Sequence, residues 1–269
     1  MSARNNQANK AAARERLRAE RARQEKKAKA RRQIIVACSI VGVLAIAGGI
    51  GYGVMQMNKP STWEAAKDAK VTAPANTSGT NGTTVTIGKS TAKKTLEVYE
   101  DSRCPVCAAF EQTVGSTVQK DIDAGKYKIQ YIGATFIDNN GGEGSKNALS
   151  ALGAALDVSP EAFTAYKTAL YSTKWHPDET SDKFKDDSYL IKIAQTVPAL
   201  KDNSAFQKAV DDGTYDAWAM KMSATFDKSG VQGTPTFKMD GKAVTAAGSK
   251  NAPMTVADYT TAIDKALKG

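Results

Sequence analysis

The chain has 269 residues, 41% of them hydrophobic, and a formal net charge of +9. That length can bury one large core or two small ones, and the composition excludes global disorder. Three cysteines exclude a disulfide-rich scaffold, and one histidine leaves little for metal sites or histidine-based catalysis.

Position divides the charge sharply. Residues 1–32 hold twelve Lys/Arg and three Asp/Glu and so account for the whole +9, while the remaining 237 residues carry 25 of each sign. Ile34 to Met55 then runs for 22 residues without a charge, long enough for a hydrocarbon core of roughly 30 Å. The pattern predicts a basic cytoplasmic tail at 1–32 and a transmembrane signal anchor at 33–57, with everything after it outside the cytoplasm. The tail reads as a topology determinant rather than a nucleic-acid-binding arm, and lipid contact is confined to 33–57. Ala45-Ile46-Ala47 offers a small-x-small cleavage site, but apolar sequence continues through Val54.

Residues 58–82 are rich in Ala, Thr, Asn, Ser and Gly and read as a flexible linker. A globular pattern follows over 83–269. Val85 to Ile87 and Leu96 to Tyr99 are β-prone, and Cys104 to Ala124 predicts a helix stopped by Gly125. Tyr127 to Ile132 alternates as a strand. Helical sequence occupies about 140–229, with Ser159-Pro160-Glu161 as an N-cap followed by proline. Thr236 to Met239, the turn Asp240-Gly241, and Lys242 to Val244 form a hairpin. A last helix starts near Thr255 and presents Val256, Tyr259, Ile263 and Leu267 on one face. The order is β-α-β, helices, then β-β-α, an α/β fold with a helical insertion.

Cys104-Pro105-Val106-Cys107 falls where a strand meets a helix. Helix N-terminal N–H groups and the macrodipole favour a thiolate, which lowers the pKa of Cys104 and makes it the attacking sulfur. Pro105 suits the first turn, where its missing N–H costs nothing. Cys107, three residues on, lies within disulfide reach and joins Phe110, Val114 and Val118, so it should face the core while Cys104 faces solvent. One activated and one resolving sulfur form a thiol–disulfide exchange pair. A zinc site would need two more ligands, and a structural disulfide across four residues would staple almost no loop. No metal and no cofactor is expected. A second feature is Val231-Gln232-Gly233-Thr234-Pro235-Thr236-Phe237, where a proline entering a strand marks an edge or a cis bond.

With both features in hand, residues 83–269 resemble the thioredoxin superfamily and, within it, the DsbA-like disulfide oxidoreductases. The resemblance rests on Asp101-Ser102-Arg103-Cys104-Pro105-Val106-Cys107 with Phe110, on Gly233-Thr234-Pro235-Thr236-Phe237, and on the helical block between them. It implies a thioredoxin-like fold with a helical insertion, preceded here by the transmembrane helix. It makes Cys104 the nucleophile and Cys107 the resolving thiol of a redox-active Cys104–Cys107 disulfide. Pro235 would be a cis-proline, and Thr234 would pair with an extended substrate. Val106 stands where some members carry histidine, so a weaker oxidant is expected, between roughly −270 and −120 mV. Many members have an acid six residues before the first cysteine. Here that position is Val98, with Glu97, Glu100 and Asp101 nearby, and the sequence does not choose among them. His176 reads as a surface or packing residue.

The resulting expectation is a membrane-tethered enzyme that oxidises cysteine pairs of exported proteins. The resemblance implies a membrane quinone-linked partner, of DsbB or vitamin K epoxide reductase type, to re-oxidise it. A disulfide reductase or isomerase, and a non-catalytic binding or chaperone module, are the alternatives.

Overall fold

The computed structural model describes residues 62–269. A five-stranded sheet has the order β1-β3-β2-β4-β5, with β1 at Val85–Ile87, β2 at Thr95–Asp101, β3 at Lys128–Ala134, β4 at Thr236–Met239 and β5 at Lys242–Ala243. The central strand β2 pairs parallel with β3, from Thr95 opposite Lys128 to Asp101 opposite Ala134. On its other side β2 runs antiparallel to β4. Parallel neighbours need a crossover, and α2, Pro105–Ala124, supplies it. Gly125 ends α2 in the left-handed conformation at φ 77°, which a glycine adopts without steric cost.

Between β3 and β4 lie five α-helices: α3 (Gly144–Val158), α4 (Pro160–Leu170), α5 (Asp187–Ala194), α6 (Ser204–Asp211) and α7 (Asp216–Lys228). They form the expected helical insertion. Ser159 caps α4 by accepting from the Ala162 N–H, with Pro160 as the first helical residue. The C-terminal helix α8, Val256–Lys268, is capped by Thr255.

Strand alternation assigns the helices to faces. Val98 lies opposite Phe237 in the register, and Phe237 meets Phe110 of α2 at 4.6 Å and Tyr259 of α8 at 6.4 Å between ring centroids. Tyr99, one residue on, points the other way and meets Phe226 of α7 at 6.3 Å. Tyr259 and Ile263 of α8 are buried as the periodicity predicts, whereas Val256 is 44% exposed. It is the first residue after the cap and does not join the buried stripe.

Two expectations differ from what is observed. From residue 62 onward, the stretch assigned to a flexible linker is packed onto the domain. Helix α1, Thr62–Asp68, buries Trp63 and Ala66 and packs against α7. Asn76 Nδ2 donates to the Leu156 carbonyl at 2.8 Å, and Trp218 Nε1 donates to the Gly82 carbonyl at 2.8 Å. Gly82 has φ +67°, and a Cβ there would sit 2.5 Å from Ala73 and Thr77, so the strap closes only around glycine.

The membrane assignment is corrected. The expected helix at 33–57 and the basic tail at 1–32 lie outside the described residues, and among the described residues no helix is long and apolar enough to cross a membrane. The longest, α2, has 20 residues but carries Glu111, Lys120, Asp121 and Asp123. The preceding transmembrane helix, the single-pass cell-membrane localisation, the tethered form of the enzyme and the lipid partner are therefore unsupported. The membrane-resident re-oxidising partner inferred alongside them goes with them.

Candidate active site

Cys104 is the N-cap of α2, with extended backbone (φ −72°, ψ 116°), and Pro105 opens the helix. Its Sγ accepts from the Cys107 N–H at 3.4 Å. The Cys104 thiol donates to the Thr234 carbonyl at 3.5 Å, across 130 residues of sequence. The Thr234–Pro235 peptide bond is cis. The two sequence features thus meet at one sulfur.

Both cysteines are free thiols. Cys104 is 6% exposed and Cys107 2%, so the expectation that Cys104 faces solvent is corrected. Remote elements share its surroundings: Phe136 and Ile137 in the turn after β3 and Tyr171 at the end of α4 belong to one apolar cluster with both cysteines and Ala108, and the Thr234 carbonyl lies against Cys104 Sγ.

The electrostatics separate the two sulfurs. A hydrogen bond with the Cys107 thiol holds Cys104 below its ordinary value against the cost of burial, and contacts from Thr234 and the Cys107 N–H act in the same direction. Burial pushes Cys107 well above its ordinary value, and the neighbouring Cys104 and Glu100 add to the rise. Cys104 is the sulfur that ionises first, as an attacking thiol requires.

Two acids at the end of β2 flank the pair. Burial raises Glu100 to about 7, with the Lys167 charge opposing. Lys167 Nζ lies 3.6 Å from Glu100 Oε2 and 2.7 Å from Glu111 Oε2. Burial works against the Lys167 charge, but Glu100 and Glu111 more than offset it. Asp101 is also raised to about 7 by burial, offset in part by hydrogen bonds from Ser145 Oγ at 2.6 Å, the Arg103 N–H at 2.9 Å and the Ile137 N–H at 3.2 Å. Glu97 instead accepts from the Tyr99 hydroxyl at 2.7 Å.

A groove of about 1210 Å³ between α2 and α4 reaches Glu100, Glu111 and Lys167 over a floor that includes Ile87, Val98, Ile129 and Tyr131. Neither cysteine lines it. His176 packs between Tyr171 and Phe184, with Nε2 3.1 Å from the Ser102 carbonyl. Among the described residues, no group of three or more His, Cys, Asp or Glu could hold a metal ion.

Sequence reasoning named both cysteines, Thr234 and Pro235, but missed Lys167 and Tyr171. A signal for Lys167 existed: it follows Phe163 by four residues on the buried side of α4, where an unpaired lysine is too costly to leave.

Comparison with known proteins places these features in context. Residues 80–265 match the family model described as Thioredoxin. Serine/threonine-protein kinase PknE of Mycobacterium tuberculosis is 27% identical over 166 residues, which is 60% of this chain but only 29% of that kinase. Disulfide bond formation protein D of Bacillus subtilis is 27% identical over 187 residues, covering 68% of this chain and 77% of that protein. Among solved structures, oxidised BdbD from Bacillus subtilis superposes with a TM-score of 0.56 at 25% identity, covering 73% of this chain and 99% of that one.

Proposed function

Because the chain belongs to the thioredoxin family, we propose that it is a thiol–disulfide oxidoreductase that oxidises cysteine pairs in protein substrates. Cys104 and Cys107 are the redox pair, and Thr234 and Pro235 border the substrate site. The observation that carries this reading is Cys104 Sγ at the N-cap of α2, with Thr234 across from it.

In the oxidised enzyme a substrate thiolate attacks Cys104 Sγ. The Cys104–Cys107 bond breaks, a substrate–Cys104 mixed disulfide forms, and Cys107 leaves as a thiolate. That thiolate is buried and expensive, so it takes a proton at once. Glu100, raised to about 7 by burial, is the group suited to supply it. The second substrate thiolate then attacks the substrate sulfur of the mixed disulfide and expels Cys104. Substrate loses two electrons to the enzyme and two protons to solvent; Cys107 ends protonated, Cys104 ends as the thiolate, and Glu100 regains its proton from solvent.

The leaving step favours Cys104 because its thiolate accepts the helix N–H and the Cys107 thiol hydrogen bond. A stabilised thiolate makes the reduced enzyme the favoured form, which is the property of an oxidant. Thr234 offers its backbone to an extended substrate segment next to the sulfur, in the manner of strand addition.

The test is trapping. Cys107→Ala whose Cys104 has first been converted to a mixed disulfide with glutathione should exchange with reduced substrate proteins, releasing glutathione and accumulating substrate–Cys104 mixed disulfides, visible as mass-shifted species that dithiothreitol removes. If Cys107→Ala yields none while the wild type turns substrate over, the assignment of the two sulfurs is wrong.

A further inference from the structure

Segment 171–182 of the helical insertion holds all three residues that precede Cys104. The Tyr171 hydroxyl donates to the Asp101 carbonyl at 3.1 Å, and His176 Nε2 lies 3.1 Å from the Ser102 carbonyl. The Arg103 side chain is buried, and its Nη2 donates to the Glu179 carbonyl at 2.9 Å. Its Nη1 donates to the Gly141 carbonyl at 3.0 Å and pairs with Asp138 Oδ1 at 2.8 Å and Asp182 Oδ1 at 3.2 Å.

Those two carboxylates also start α3. Asp182 accepts from the Glu143 and Gly144 N–H groups at 2.9 and 3.0 Å. Asp138 accepts from the Ser145 and Lys146 N–H groups at 2.9 and 3.0 Å. Four consecutive N–H groups at a helix start, which have no partners within the helix, are shared between two carboxylates, and one guanidinium bridges both. Lys146 Nζ gives Asp138 a second cation at 3.0 Å, whereas Arg103 is the cation paired with Asp182.

We propose that Arg103 is a positioning residue that ties the helical insertion to the redox centre. By neutralising Asp138 and Asp182 it fixes the start of α3 and segment 171–182 against residues 101–103. Tyr171 thereby stays over the cysteines, and Cys104 is kept shielded. A lysine would carry the charge but lacks the planar fork that reaches these acceptors from two nitrogens. The proposal rests on Cys104 being the reactive sulfur.

The experiment follows iodoacetamide alkylation of Cys104 against pH, read by peptide mass spectrometry on the reduced full-length protein. The limiting rate at high pH reports access to the sulfur, and the midpoint reports its ionisation. Arg103→Met and Asp182→Asn should each raise the limiting rate about tenfold, because each removes a charge-assisted bond that holds the cover closed. The double variant should go little beyond either single, since both act through one network, and Arg103→Lys should fall between wild type and Arg103→Met. If the arginine were purely stabilising, Arg103→Met would lower the melting temperature and leave the limiting rate of the folded protein unchanged, and that result overturns the proposal. So does a double variant whose effect is the full product of the singles. Should Arg103→Met fail to fold, Asp182→Asn and Arg103→Lys carry the same test. Failure of the underlying reading looks different: wild-type Cys104 would then titrate at or above the ordinary thiol value, whatever Arg103 does.

Discussion

Glu100 and Asp101 are neighbours in β2, yet their carboxyl groups work on opposite faces of the sheet. Glu100 turns to Lys167, on the side of α2 and α4. Asp101 turns to Ser145 and the Ile137 N–H, at the start of α3. Both are raised to about 7, chiefly by burial. Glu100 bears on Cys107 and Asp101 on Cys104. The Glu100 charge adds to the rise of Cys107 and the Asp101 charge opposes the lowering of Cys104, and the alternation of a single strand separates the two acids.

The raised Glu100 has a direct consequence for stability. Between the unfolded carboxyl value of about 4.3 and the folded value near 7, the native state holds more protons than the unfolded chain, so this group's contribution falls as pH rises. Glu100→Gln keeps the shape of the protonated acid. It should match wild type near pH 4 and exceed it at pH 8, by at most on the order of 3 kcal/mol. Urea unfolding at the two pH values measures the gap, and a gap that does not grow with pH removes Glu100 as the proton source.

Lys167 carries the opposite expectation. It is 3% exposed, and its removal leaves Glu111 and Glu100 buried without their cation. Lys167→Met should cost about 3–5 kcal/mol at pH 8. The loss should shrink at low pH, where both carboxyls can protonate. Thermal melts across pH 4 to 8 check this, and a penalty independent of pH would mean that Lys167 acts by packing alone.

Helix α1 belongs to the domain energetically. Trp63 is 6% exposed, and Trp63→Ala should destabilise the protein by about 3–5 kcal/mol, as other large-to-small core changes do. A change within about 0.5 kcal/mol, the range of surface sites, would show that the strap rests on the domain without supporting it.

Much of this arrangement is written in local sequence. Cys104-Pro105 at a strand–helix junction, Gly125 as a helix stop, Ser159-Pro160 as a helix start and Asp240-Gly241 as a hairpin turn each act within a few residues, and the fold follows them. Thr234-Pro235 could be paired with Cys104 only through resemblance, because 130 residues separate them. What remained hidden depends on distant partners. Lys167 has the spacing of a core residue and the chemistry of a surface one, and only Glu100 and Glu111 reconcile the two. Arg103 looks like an ordinary residue of the motif until Asp138 and Asp182 converge on it. Cys104 is buried in a cluster that includes Phe136, Ile137 and Tyr171, none of which the motif names. Residues 62–82 have the composition of a linker, and Trp63 alone signals that they pack.

The reduction potential of the Cys104–Cys107 pair tests the central claim most directly. Equilibration with defined ratios of reduced and oxidised glutathione, read by alkylation mass shift, should give a single two-electron transition at a potential more oxidising than about −270 mV, the thioredoxin value. No Cys104–Cys107 disulfide at any ratio, or a potential at or below that value, would contradict the account.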